Sequence, residues 1–388
     1  MMRILLVTEL LHPFILNLYE EVLKHPYIEY VRLLNLSENL KALHRSRKYK
    51  YLKLLSIVPR LDLWLPWLTF LTARRISLRK IGVNYLLLAK DLISIIKAGD
   101  YDLVHAFWAY PAGLASVLAK VVVKVPVIIT TLGYDIDERT LSDRNKLLLA
   151  LIALQESSKV LAGAAYHKKI LMKMGVEENK VTLFTPAVDV SAFSPETGRR
   201  NDIRSRLGLK DQPVILFGPS LKAVEGAMDF IKAAALVVRE KPEAVFILVG
   251  EGPLKGILKE QSKSFNLKVL FIGRVPHNVM PHLYSACDVF CNLCYAGQGV
   301  STLEAMACGK PVIGYNTYVV RISNGKDGFT VKLGDIKDLS KKILCIINNP
   351  SLKERMGRNA RVKVIKHYNI LKRVQKLLKV YKTLIRQR

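Results

Sequence analysis

The chain has 388 residues, half of them apolar, which is enough for two hydrophobic cores and excludes a disordered protein. Its 60 lysines and arginines against 32 acidic residues leave a formal charge of +28. A field of that sign attracts phosphate on nucleic acid, anionic lipid or a diphosphate substrate, and it names a class of partner and nothing narrower.

The N-terminus runs directly into Ile4-Leu5-Leu6-Val7, which is too short for a signal peptide and has no cleavage site. It reads as a first strand. Strand-like runs at 4–8, 31–36, 103–106, 127–131, 159–162 and 181–184 alternate with helical periods through the first half. In the second half they fall at 214–217, 245–249, 269–272, 289–292, 311–315 and 329–331. Such alternation predicts parallel sheets covered by helices.

Residues 41–80 break the pattern. Lys41, Arg45, Arg47, Lys48, Lys50 and Lys53 are followed by an apolar stretch holding Trp64 and Trp67, and Arg74, Arg75, Arg79 and Lys80 close it. Tryptophan flanked by basic residues suits the headgroup layer of a membrane, and a solvated loop beside a core helix is the other reading. No stretch of about 20 residues is free of charge and proline, which argues against a spanning helix.

The polar stretch 196–212 has no buried periodicity and is the expected linker. It divides the chain into an N-terminal domain of 1–195 and a C-terminal domain of 196–365. A final helix of about 366–388 carries Val374, Leu377, Leu378, Tyr381 and Leu384 on one face. That face is expected to pack back on the first domain.

The five cysteines, Cys287, Cys291, Cys294, Cys308 and Cys345, all lie in the second half, and their odd number fits a reducing cytoplasm better than secretion. Cys287, Cys291 and Cys294 have the spacing of an iron–sulfur site, but Cys291 falls inside an expected strand, so burial is the preferred reading. Gly250, Gly252 and Gly256 are one residue off a dinucleotide loop. Cys308-Gly309-Lys310-Pro311 lacks the leading glycine and the hydroxyl of a P-loop. No metal site is expected.

The most informative segment is Gly299-Val300-Ser301-Thr302-Leu303-Glu304, which continues to Gly309 and Pro311. It sets a glycine-led turn before a helix that starts near Glu304, with the strand 311–315 behind it. Such a turn aims backbone N–H groups at phosphate. A carboxylate in the first turn can accept two hydrogen bonds from a ribose diol, or can simply settle the helix dipole. The segment closely resembles the donor-site motif of family 4 GT-B glycosyltransferases. Further matches follow in the family's order: Asp102 to Ala106 with Trp108 to Gly113, Thr131 to Asp135, Pro186 to Asp189, Val249 to Pro253 and Phe271 to Val275.

The resemblance implies an α/β, GT-B architecture of two doubly wound Rossmann-like domains facing a central cleft. It implies sugar transfer with retention, from a nucleotide-sugar donor on the C-terminal domain to a lipid-linked or polysaccharide acceptor on the other. Gly218, Lys222, Gly250, Gly252, Arg274, Gly299, Val300, Ser301, Thr302 and Glu304 would bind the donor, with His105 and Asp135 as the catalytic candidates. His105 reads equally as a core histidine, and Asp135 equally as the cap of the helix that follows. No cofactor is expected, because helix dipoles and basic side chains stabilise the leaving diphosphate.

Several of the family's positions are altered. Pro219 follows Gly218 where the family has an arginine, and Glu225 precedes Gly226 where a lysine is expected, which leaves Lys222 as the substitute cation. Ala296 replaces the motif's first glutamate, Leu132 and Phe107 replace histidines, and His12-Pro13-Phe14 and Tyr318-Val319 replace glycine pairs. The alternative is a catalytically silent GT-B protein binding a nucleotide, a glycan, an anionic lipid or nucleic acid. Zinc-finger spacing and an RNA-binding aromatic signature are both missing, so nucleic acid is not the expected partner. The expected location is the cytoplasmic face of a membrane, peripherally bound to its anionic surface.

Overall fold

A computed structural model describes residues 1–8, 13–36, 83–133, 135–136, 142–195, 200–218, 220–221, 225–295, 299–317 and 321–387. The expectations placed on His12, Trp64, Trp67, Pro219, Lys222, Ala296, Tyr318 and Val319 lie outside the described residues. The chain forms two compact units, Met1–Thr185 with Arg373–Arg388, and Pro186–Lys372.

The first unit holds six strands: β1 (Met2–Thr8), β2 (Ile28–Asn35), β3 (Leu103–Phe107), β4 (Val127–Thr131), β5 (Lys159–Ala162) and β6 (Val181–Leu183). They pair in parallel, in the order β2-β1-β3-β4-β5-β6. β3 and β4 are buried along their whole length, which is why they read as unbroken apolar runs rather than as alternation. Helices Val83–Gly99, Leu114–Val123 and Arg144–Glu156 close over the sheet through Leu92, Leu118 and Ala153.

The second unit holds β7 (Val214–Phe217), β8 (Val245–Val249), β9 (Val269–Gly273), β10 (Val289–Asn292), β11 (Val312–Tyr315) and β12 (Gly328–Val331). Their order is β12-β11-β10-β7-β8-β9, again parallel. Alternate strand residues enter two different cores. Ile215, Phe217, Phe246 and Leu248 join one, and Val214, Leu216, Val245 and Ile247 join the other. The period of two therefore buries both faces, and the sheet is doubly wound. Helix Ala227–Glu240 buries Ala227, Phe230, Ile231, Ala234 and Val237, the spacing of one helical face. Phe230 sits 4.9 Å from Phe217 and 5.9 Å from Phe246, and burying such a ring is worth about 1.5–3 kcal/mol.

The expected linker proves to be otherwise. The division between the units falls at Thr185 and Pro186, ahead of 196–212. Arg200–Arg206 is a helix of the second unit. Its Arg200 and Arg204 turn to a buried carboxylate: Asp288 takes Arg200 at 2.8 Å, Arg204 at 2.9 Å and, from helix Pro350–His367, Lys353 at 2.8 Å. Burial alone would push the Asp288 carboxyl up, but Arg200 and Lys353 hold it below its ordinary range.

Helix Ile370–Arg386 buries Val374, Leu377, Leu378 and Tyr381, and its residues from Arg373 onward belong to the first unit. Arg373 anchors it there, donating to Thr185 Oγ1 at 2.6 Å with its guanidinium 5.5 Å from the centre of the Phe184 ring. The thiols of Cys287, Cys291, Cys294 and Cys308 are buried in the second unit, and burial pushes Cys287 up to about 11. Among the described residues no three His, Cys, Asp or Glu side chains gather as metal ligands.

Candidate functional site

The chain of the second sheet runs outward from β7 to β9 and then returns to β10, so the strand order reverses between β7 and β10. In an open parallel sheet the ligand crevice lies outside the carboxyl ends of the strands at such a reversal. Gly218 leaves β7 at this point and Leu293 leaves β10. The loops after β7 and β8 are in backbone contact, with Leu221 N donating to Glu251 O at 3.2 Å and Leu254 N to Leu221 O at 3.3 Å. A side chain at Gly252 would collide with the Leu221 carbonyl, so glycine is required for this approach. Gly250 N donates to Gly273 O at 2.7 Å, which ties in the end of β9 beside the exposed Arg274.

On the other side of the reversal, Gly299 has φ +61°, a left-handed conformation that suits glycine, and caps the helix Val300–Ala307. Val300, Ser301 and Thr302 make its first turn, whose N–H groups lack partners within the helix. Asn292, the last residue of β10, holds that turn by donating to Ser301 Oγ at 3.1 Å and Thr302 Oγ1 at 2.8 Å.

The helix starts at Val300 rather than near Glu304, so Glu304 stands one turn inside it. The dipole's effect on a carboxylate fades beyond the first turn, which removes the dipole reading. Glu304 is 5 % exposed, and both of its oxygens are engaged. Oε1 pairs with His277 Nε2 at 2.8 Å, and Oε2 accepts from the Tyr284 hydroxyl at 3.1 Å. The Glu304 hydrogen bond, opposed by burial, raises His277 above its ordinary value. Burial, then the Glu304 charge, raises Tyr284 well above its own. Neither partner was foreseen. They precede Glu304 by 27 and 20 residues, and no local spacing marks the pairing.

The two catalytic candidates lie in the first unit. His105 is a core residue: it is fully buried, Nδ1 meets the Tyr381 hydroxyl at 2.7 Å and Nε2 meets Thr130 Oγ1 at 2.7 Å. With both nitrogens occupied and burial lowering its pKa to about 3, the ring is a neutral fastener rather than a base. Asp135 is buried at the carboxyl ends of β3 and β4. Its Oδ2 accepts from Ala109 N at 2.8 Å, and its Oδ1 from Leu132 N at 3.2 Å and Gly133 N at 3.1 Å. Burial raises it to about 6 although these N–H groups oppose the shift. Helix Arg144–Glu156 has a cap of its own. Its cap is Asp143, accepting from Asn145 N at 3.0 Å and Lys146 N at 3.2 Å.

The two doubly wound units define a GT-B fold, and solved structures of that class superpose on the chain. HepE of Anabaena, solved with UDP-glucose, matches with a TM-score of 0.75 at 19% identity, covering 99% of this chain and all of that one. Sucrose-phosphate synthase of Thermosynechococcus elongatus matches with a TM-score of 0.77 at 17% identity and complete coverage of both. Residues 199–363 match the family model described as Glycosyl transferases group 1, and residues 66–163 that described as Glycosyl transferase 4-like. The chain belongs to the group 1 glycosyltransferases of GT-B type, enzymes that transfer sugars. Among its relatives is the UDP-Gal:alpha-D-GlcNAc-diphosphoundecaprenol alpha-1,3-galactosyltransferase of Escherichia coli. It is 27% identical over 306 residues, which are 75% of this chain and 79% of that protein. A GDP-mannose-dependent monoacylated alpha-(1-6)-phosphatidylinositol monomannoside mannosyltransferase of Corynebacterium glutamicum is 26% identical over 288 residues, 71% of this chain and 75% of that one.

Proposed function

We propose that this glycosyltransferase moves a sugar from a nucleotide-sugar donor to a lipid-linked or polysaccharide acceptor, with retention at the anomeric carbon. The observation that carries the donor side is the buried Glu304 carboxylate beside the switch point of the second sheet, fixed by His277 and Tyr284. A carboxylate offers about four acceptor positions, and these two donors use one each. The remaining positions take the donor ribose. The first-turn N–H groups of Val300 to Thr302, with Lys222 and Arg274, take the diphosphate, and the reading requires no metal. Asp135 positions the loop at Ala109 on the acceptor-side unit.

Two relatives support the donor and acceptor classes, since their names carry UDP-Gal or GDP-mannose and a diphosphoundecaprenol or phosphatidylinositol acceptor. The +28 charge and the basic stretch around Trp64 and Trp67 favour peripheral binding at the anionic cytoplasmic face of a membrane. Among the described residues no helix is long and apolar enough to cross one. Replacing Trp64 and Trp67 with serine should reduce co-sedimentation with phosphatidylglycerol vesicles. Undiminished binding would remove that segment from the reading.

Calorimetric titration with a panel of UDP-, GDP- and ADP-sugars tests the donor assignment. One donor should bind, and Glu304→Gln should weaken it at least about tenfold, the loss of one well-made charged hydrogen bond. A folded protein that binds none of the panel, or a variant with wild-type affinity, would overturn it.

A further inference from the structure

We infer that His277 is a positioning residue of the donor site, orienting the Glu304 carboxylate and setting the pH range over which that carboxylate receives donor. The inference rests on the reading that Glu304 holds the donor ribose.

A buried carboxylate is costly unless its oxygens are hydrogen-bonded, and Glu304 has two donors of unequal kind. Tyr284 is fully buried, edge-on to Phe290 at 5.2 Å and 6.3 Å from Phe193. Its phenol stays neutral and supplies a hydrogen bond without charge. Cys308, at the end of Glu304's own helix, also faces the carboxylate, and burial keeps its thiol neutral. Arg361, from helix Pro350–His367, faces Cys308 but is committed to the carbonyls of Phe193 and Ala307 at 2.7 and 2.8 Å. Among the described residues, His277 is the one basic side chain paired with Glu304.

His277 is also placed to act as a link. It opens the turn His277–Val279, four residues after Gly273, whose carbonyl holds Gly250 N. Its ring packs 5.1 Å from Phe193, and its side chain is 33% exposed, so the imidazole exchanges protons with solvent while its orientation is fixed. Through His277 the loop leaving β9 is fastened to the helix that carries Glu304.

Removing the imidazole leaves a buried carboxylate with one neutral donor. In acid the imidazole is protonated and its hydrogen bond to Glu304 becomes charge-assisted, a stronger contact that the variant lacks. His277→Ala should therefore lose donor affinity, with the loss deepening as pH falls, while kcat at saturating donor changes less than KM. His277→Gln retains an N–H donor without charge. It should recover affinity near neutral pH and fail to recover it in acid.

The experiment is calorimetric binding of UDP and of GDP from about pH 5.5 to about pH 8. Wild type, His277→Ala, His277→Gln and Glu304→Gln are compared, with circular dichroism confirming the fold. The expected result is about a tenfold loss for His277→Ala near pH 7 that grows toward pH 5.5, partial rescue by glutamine, and a Glu304→Gln variant that is weak at every pH. If Glu304→Gln loses binding while His277→Ala follows wild type at every pH, the donor reading stands and the role of His277 is overturned. If Glu304→Gln binds like wild type, or neither nucleotide binds, the donor reading falls and takes this inference with it. Should His277→Ala not fold, the pH slope of His277→Gln decides in the same way.

Discussion

The Tyr381 hydroxyl lies 2.7 Å from His105 Nδ1, although 276 residues separate the two along the chain. This contact fastens the C-terminal helix to the middle of β3, beneath full burial of both side chains. Tyr381→Phe would leave a buried ring nitrogen without a partner and should cost about 1–3 kcal/mol. Urea unfolding followed by far-UV circular dichroism measures it, and an unchanged midpoint would show that the pair contributes nothing.

His105 also makes stability depend on pH. Its folded pKa of about 3 lies below the ordinary 6.5, so between those values the unfolded chain binds the extra proton. Stability from this group is full above about pH 6.5 and is lost as pH falls toward about 3. Wild type should lose more unfolding free energy between about pH 7 and about pH 4 than His105→Gln does. Equal losses in the two proteins would contradict the neutral, buried state.

Asp135 works in the opposite sense. Its folded value of about 6 lies above the ordinary 3.8, so its contribution is present below the unfolded value and is lost as pH rises through about 6. Asp135→Asn keeps the shape but turns an NH2 group toward one of the N–H groups of Ala109, Leu132 and Gly133. The destabilisation should be greatest near about pH 4 and shrink toward about pH 8, where the wild type carries a buried charge. A penalty that grows with pH would reverse the assignment.

Arg204 and Arg200 share Asp288 but differ in exposure, at 7% and 36% for their side chains. Arg204 also donates to the carbonyls of Ala286, Lys210 and Gln212. Arg204→Ala should cost about 3–5 kcal/mol, because it leaves buried acceptors unpaired, whereas the better-solvated Arg200→Ala should cost about 1 kcal/mol or less. Chemical denaturation of both variants checks the order, and a larger loss at Arg200 would show that burial does not rank them.

Fold and family were legible in the sequence because parallel strands buried on both faces are spelled as continuous apolar runs. That is why β4, β7 and β8 could be read residue by residue, and β3 all but its last residue. The glycine-led turn at Gly299 was legible too, since the backbone conformation it needs excludes most side chains. What only the tertiary structure decided is which polar group meets which. Arg200 and Arg204 look like linker residues until Asp288, 88 and 84 positions further on, turns them inward. His105 is a base or a fastener depending on Thr130 and Tyr381, and Glu304 acquires its orientation from His277 and Tyr284. Strand and turn signals are local because they reflect the pleat and the dihedral angles of a few residues. Side-chain pairing depends on strand order and on which helix crosses which sheet, and both arise only when distant segments pack.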